Sequence, residues 1–456
     1  MMTSARPLLL LPLALLAACS ALRTPYEPPA TALPAAWSGP AEAASAATDT
    51  RWWQALGDPV LDRFVDEALA RNADLAVAGV ALRQARLQAG LADSDRRPSL
   101  SASVSGQAER GLDAPRRTTH AYSASVGASW EADLWQRLGA LADAAQLEAG
   151  ASEQDRDAAA LSLSGTVATL YWQLGYLNQR IASAEASVDT ARRTQALVQA
   201  QFDAGAVGAL ERHEAEQTVL AQQATLEDLR QQRTEARHAF ALLFDRAADD
   251  VPPADEPQAL PTAALPAPRA GLPAELLGRR PDLRAAELRL RKTLAQGDAV
   301  RASYYPTLSL TGSLGGSSSA LGQVLANPVA ALGSGLALPF LNWREMQLQG
   351  ELQRANYESA AISFRQTLYA ALAEVEDALS ARQALARQGE WLEASLQAAR
   401  RIEALYEARY RAGAATLRTW LDAQESRRSA EVALAENRLA RLKNQVTLIK
   451  ALGGAA

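Results

Sequence analysis

The sequence predicts a mainly α protein with a β-barrel portion, built from a duplicated unit of one strand pair and one long helical hairpin. Three observations predict this. Motifs recur at a fixed offset, four segments alternate with period two, and long stretches keep a heptad seam.

Composition sets the frame. The 456 residues suffice for two or three ordinary domains, and they are 48% hydrophobic but only 5% aromatic. Alanine and leucine dominate the apolar share, which favours close helix packing over a thick core. The net charge is −5, with signs mixed along the chain and no polybasic arm, so nucleic acid is not an expected partner. Cys19 is the one cysteine, which excludes an intramolecular disulfide. His120, His213 and His238 are scattered, with no second ligand at metal spacing. The absence of a nucleophile–base pair, a metal cluster or a phosphate loop argues against an enzyme.

The N-terminus reads as an address and an anchor. Arg6 precedes the short apolar run Pro7 to Leu16, and Leu16-Ala17-Ala18-Cys19 looks like a lipoprotein box. Residues 1–18 are therefore expected to be a signal peptide, and 19–58 a lipid-anchored extended segment beginning at an acylated Cys19. Beyond the signal no run of about 18 apolar residues exists, so any membrane crossing must be a closed β-barrel.

The duplication is visible by subtraction of residue numbers. Asp74-Leu75 answers Asp282-Leu283, Pro98-Ser99-Leu100-Ser101 answers Pro306-Thr307-Leu308-Ser309, and Phe202-Asp203-Ala204-Gly205 answers Tyr410-Arg411-Ala412-Gly413, always 208 positions apart. The repeats are placed at 59–248 and 274–453, with a proline-rich linker at 249–273 and a tail at 454–456.

Each repeat reads helix, strand, loop, strand, long helix, turn, helix. The first helix is expected over about 59–95, and Arg97-Pro98 and Tyr305-Pro306 stop the helices before the strands. Strands are expected at about 99–107, 121–131, 307–315 and 332–341, the last carried by Leu336, Leu338 and Phe340. Their length suits a tilted membrane strand, although the alternation alone also fits a soluble sheet. Four strands cannot close a barrel, so several chains must contribute. After the second strand, Leu163, Val167, Leu170, Leu174, Leu177 and Ile181 begin a seam at spacings of four and three. The uninterrupted helix from about Trp135 to Gln201 would be about 100 Å long and must pack along partners of similar length.

With the box, the duplication, the paired strand starts and the two glycine turns in this order, the chain resembles the outer membrane efflux family. These are the TolC-like exit ducts, and the closest resemblance is to acylated OprM/NodT-type lipoproteins serving RND pumps. The resemblance covers essentially the whole mature chain. It implies a homotrimer forming a 12-stranded outer-membrane β-barrel on a 12-helix periplasmic α-barrel. It implies no cofactor beyond a diacylglycerol and an N-linked acyl chain on Cys19. Its implied partners are outer-membrane lipid, a periplasmic adaptor (membrane fusion) protein and an inner-membrane RND-type pump. The implied function is a passive exit channel for small molecules such as drugs. A type I secretion or metal-efflux duct of the same fold, or a periplasmic coiled-coil adaptor lipoprotein, is the alternative.

The resemblance also assigns residues. Gly205, Ala206, Val207 and Gly208, with Gly413, Ala414, Ala415 and Thr416, fall at the tips that meet the adaptor. Asp422 matches the acidic ring of the closed entrance, and Glu214 is its counterpart in the first repeat. Arg418 stands where such ducts carry an apolar gate and Glu425 where they carry arginine, so the charges are rearranged. Arg418 is placed to pair with Glu425 or Asp422. Trp420 either plugs the aperture or packs. Tyr122, Trp130, Tyr304 and Tyr305 either anchor the barrel at the lipid interface or pack without membrane contact.

Overall fold

The computed structural model describes residues 23–38, 51–247, 255–262, 266 and 270–454. The expected signal peptide and Cys19 lie outside the described residues, as do parts of the expected N-terminal segment and linker. The described chain is mainly helical, with one four-stranded antiparallel sheet. It divides into two compact units. One holds the described parts of residues 1–31, 80–154 and 284–367, and the other those of 32–79, 155–283 and 368–456.

The helices are α1 (Pro59–Arg71), α2 (Ala73–Ser94), α3 (Arg137–Asp203), α4 (Ala209–Leu242), α5 (Leu276–Arg279), α6 (Pro281–Ala302), α7 (Trp343–Arg411) and α8 (Leu417–Ala451). The strands are β1 (Ser99–Arg110), β2 (Thr118–Ala132), β3 (Thr307–Ser318) and β4 (Val329–Ala337). Several bounds keep the 208-residue offset. Ser99 and Thr307 open β1 and β3, Asp203 and Arg411 close α3 and α7, and Ala209 and Leu417 open α4 and α8. The helices α2 and α6 have 22 residues each.

Local chemistry explains the starts and stops. The Asp58 carboxylate accepts the backbone N–H groups of Val60 and Leu61, and Pro59 occupies the first turn, where its missing N–H costs nothing. The single helix expected over 59–95 is two helices. Asn72 takes a ψ of 128° and ends α1. Its side-chain oxygen then accepts the N–H of Leu75, while its amide donates to the carbonyl of Leu243. The last strand is also shifted from its expected span. It runs Val329–Ala337, and Pro339, which has no N–H for a ladder, begins a short 3-10 turn that takes in Phe340.

Both hairpin turns close in the same way. Gly205 and Gly413 have φ of 72° and 73°, a region open to glycine without strain. Ala206 N–H donates to the Gln201 carbonyl and Ala414 N–H to that of Arg409, each at 2.8 Å. Gly205 and Gly413 donate to Phe202 and Tyr410 at 2.9 Å, completing a Schellman motif in each repeat.

The helical unit contains two large apolar cores and a small one. Phe64, Tyr171, Phe240 and Phe244 anchor the first, where Phe64 lies 5.1 Å from Phe240 and 5.6 Å from Phe244 between ring centroids. Leu283, Leu368, Val375, Leu448 and Leu452 form the second. The third gathers Val198, Ala215, Tyr410, Leu417, Trp420 and Leu421 near the hairpin turns.

Candidate functional site

The sheet separates its side chains by chemistry. Strand order is β1-β2-β3-β4 with every pair antiparallel, so β1 and β4 are edges. The register sets Leu100 opposite Ala128, Val104 opposite Ala124, Val126 opposite Leu314, and Gly312 opposite Leu332. That face is almost wholly apolar, and it is the open one: Leu100 is 80% exposed, Val104 82% and Leu332 94%. The other face sets Ser103 opposite Ser125, Ser105 opposite Ser123, Ser309 opposite Gly335, and Thr311 opposite Gly333. Serine hydroxyls meet across β1 and β2 at 2.9 Å (Ser99–Ser129), 2.9 Å (Ser103–Ser125) and 2.7 Å (Ser105–Ser123).

A soluble sheet buries its apolar face and wets its polar one. Here the apolar face has no protein cover among the described residues. Such a face suits hydrocarbon, with the hydroxyl face turned to water. Period two sorts the serines onto one face, and only the cross-strand register brings them into a ladder.

Tyr122 and Trp130 stand on the apolar face with Val126. The Trp130 indole donates to the Arg96 carbonyl at 2.9 Å, and the Tyr122 ring lies over Gly106, where a Cβ would come within 3.2 Å of it. Tyr304 and Tyr305 precede β3 rather than belong to it, and the Tyr305 ring packs 4.9 Å from that of Trp135.

At the hairpin end of the helical unit, Arg418 joins two acids. Its Nε donates to Asp422 Oδ1 at 3.2 Å, and its Nη1 stands 3.8 Å from Glu214 Oε1 on α4. Glu425 takes no part. It accepts instead from Arg428, three residues on, at 2.6 Å, a pairing that the i, i+3 spacing carries in the sequence. Arg418 and Asp422 are 70% and 65% exposed, so their attraction is screened and worth at most about 1 kcal/mol. Trp420 points away from this group. It is buried and stacked on Tyr410 at 5.2 Å. Near it the Tyr410 hydroxyl donates to Gln201 at 2.7 Å. Gly205 to Gly208 and Gly413 to Thr416 surround the two Schellman turns. Glu211 accepts the Gly208 N–H, and Thr416 Oγ1 accepts the N–H of Thr419.

The sequence model described as "Outer membrane efflux protein" matches residues 64–244 and 272–454, two stretches that start 208 positions apart. The chain belongs to the outer membrane efflux protein family. One relative, the pyoverdine export outer membrane protein OpmQ of Pseudomonas putida, is 36% identical, over 99% of this chain and 98% of that protein. Outer membrane protein OprJ of Pseudomonas aeruginosa is 34% identical, over 96% of this chain and 93% of its own length. Among solved structures, the outer-membrane channel OprN superposes with a TM-score of 0.86 at 27% identity, covering 95% of this chain and 99% of that one. Family membership makes the chain an outer-membrane efflux channel protein with TolC-like helical and β-barrel parts. It removes the adaptor alternative. No described helix is long and apolar enough to cross a membrane.

Proposed function

We propose that three copies of this chain close a twelve-stranded barrel over a twelve-helix tunnel, the passive exit duct of a tripartite efflux system. A periplasmic adaptor and an inner-membrane RND-type pump deliver small molecules to it, and the pump supplies the energy. One observation carries the proposal: a four-stranded sheet with two open edges, an exposed apolar face and a hydroxyl-lined opposite face. An edge without proline or lysine, such as β4, is a liability unless another strand covers it. Three such sheets joined edge to edge leave no edge exposed. The relatives named for pyoverdine export and toluene efflux support small molecules as the cargo class.

Within this reading, Gly205 to Gly208 and Gly413 to Thr416 contact the adaptor. Asp422, Arg418 and Glu214 ring the periplasmic aperture, and each chain contributes two carboxylates and one guanidinium to it. Glu425, paired with Arg428, lies beside that ring. Tyr122 and Trp130 sit at the lipid interface, and Tyr304 and Tyr305 at the rim where β3 begins. Cys19 carries the acyl anchor. The test is mass and conductance. Protein purified in detergent has the mass of three chains and carries ion current across a planar bilayer. A monomer that carries none contradicts the reading.

A further inference from the structure

The helix α8 has four sides, and three of them are occupied. Leu439, Leu442, Val446 and Ile449 enter the first core together with α3. Asn437 and Asn444 donate their amides to the α7 carbonyls of Leu385 and Ala378, each at 3.0 Å. Gln445 donates to the Pro266 carbonyl in the segment that joins the repeats, at 3.0 Å. Lys443 is about 200° around the helix from Gln445, so it points away from that segment. The fourth side therefore carries Asp422, Glu425, Glu436, Lys443 and Lys450 at helical spacing, acids first and lysines last.

Those two lysines differ from the third in the chain. Lys292 is paired with Glu148 at 2.9 Å. Lys443 meets only an amide oxygen, Gln173 Oε1 at 2.8 Å, and Lys450 only a hydroxyl, Ser162 Oγ at 3.2 Å. Burial lowers the pKa of the Lys443 amine, and no neighbouring carboxylate raises it back. Two ammonium groups per chain thus lack a counter-charge among the described residues. On the hydroxyl face of the sheet, β1 carries no charge between Ser99 and Ser105; Glu109 lies beyond them, and Glu131 of β2 is paired with Arg137 at 2.7 Å.

Resting on the trimeric reading above, we propose that Lys443 and Lys450 form an anion-binding stretch on the bore of the helical tunnel and favour carboxylate-bearing cargo. Threefold repetition places six ammonium groups around a confined aqueous path. Rings of lysine in a pore concentrate anions, and low-dielectric walls focus the field. Gln173 and Ser162 hold the amines by neutral hydrogen bonds, which leaves their charge for a passing carboxylate.

Citrate is the probe, added to one side of a bilayer holding the purified full-length protein in potassium chloride. The wild-type current is reduced by citrate. The double variant K443Q/K450Q loses about tenfold in citrate sensitivity, and its reversal potential in a salt gradient moves toward cations. The single variants each lose part of the effect, and K443R/K450R keeps it. Arg441→Gln, an exposed charge on another side of α8, leaves it unchanged. Equal citrate block in K443Q/K450Q and wild type, or equal loss in Arg441→Gln, overturns the proposal while the duct reading stands. A wild-type protein that conducts nothing overturns the duct reading itself.

Discussion

The two repeats place their cores at equivalent positions and fill them with different chemistry. Phe240 and Phe244 of the first core stand 208 positions before Leu448 and Leu452 of the second, Tyr171 before Leu379, and Ala68 before Leu276. Val167 and Val375 are the same residue in both. Phe64, which touches three rings, corresponds to Leu272, which is 54% exposed. The junction residue differs as well. In the first repeat Asn72 reaches the carbonyl of Leu243. In the second, Arg280 donates to the carbonyl of Ala451 at 3.2 Å and pairs with Asp282 and Glu374 at 2.7 Å each. Both side chains thus satisfy a carbonyl at the end of the returning helix, where the backbone has no partner of its own. The fold demands buried volume and a donor at that point. Aromatic stacking meets the first demand in one repeat, and aliphatic packing with an ionic clamp meets both in the other.

The largest break in this comparison is expected at Phe64. Phe64→Ala removes contacts with Tyr171, Phe240 and Phe244 and should cost about 3–5 kcal/mol. Leu272→Ala at the matching position should stay within about 0.5 kcal/mol. Urea unfolding of the detergent-solubilised protein measures both, and equal losses would mean that the two cores are not organised differently.

Arg280 comes next. Its partners are partly exposed, so Arg280→Ala should cost about 1–3 kcal/mol, less than a fully buried pair would. Asp282 adds a pH signature. Burial pushes its carboxyl up, but the Arg280 hydrogen bond and charge outweigh that and hold it below the usual value. A depressed carboxylate contributes stability that is complete above about pH 3.9 and is lost as pH falls through the lower folded value. Acid titration of unfolding should show this loss below about pH 4 in wild type, and Arg280→Ala should lack it. The first repeat has Asn72 at this position and should show no such component there.

The smallest effects test what the repeats share. Gly205→Ala and Gly413→Ala each force a side chain into the left-handed region at a cost of about 1–2 kcal/mol. The two turns have the same hydrogen bonds, so the two losses should agree within error. A marked inequality would show that one turn is held by something the other lacks.

How much was legible follows from the same physics. Glycine, proline and alternation act locally, so the turns at Gly205 and Gly413, the stops at Pro98 and Pro306 and the opposed sheet faces could be read from sequence. The break at Asn72 could not, because its capping role is completed by a carbonyl 171 residues away. The end of β4 was misplaced because Leu338 and Phe340 continue the apolar alternation past Pro339, which ends the pairing. Near the start of α8, the sequence offered Arg418 two acids, Asp422 and Glu425; it pairs with Asp422, while Arg428 pairs with Glu425. The stacking of Trp420 on Tyr410 joins two helices and has no local signal.

The central claim is that one face of the sheet meets lipid and the other meets water. Cysteine pairs at adjacent positions test it most directly: Ser103→Cys against Val104→Cys, Ser125→Cys against Val126→Cys, and Ser313→Cys against Leu314→Cys, in membranes probed with a charged thiol reagent. The account predicts rapid labelling at the three serine positions and protection at the three apolar ones. Equal labelling within each pair, or protection of the serine positions alone, would contradict it.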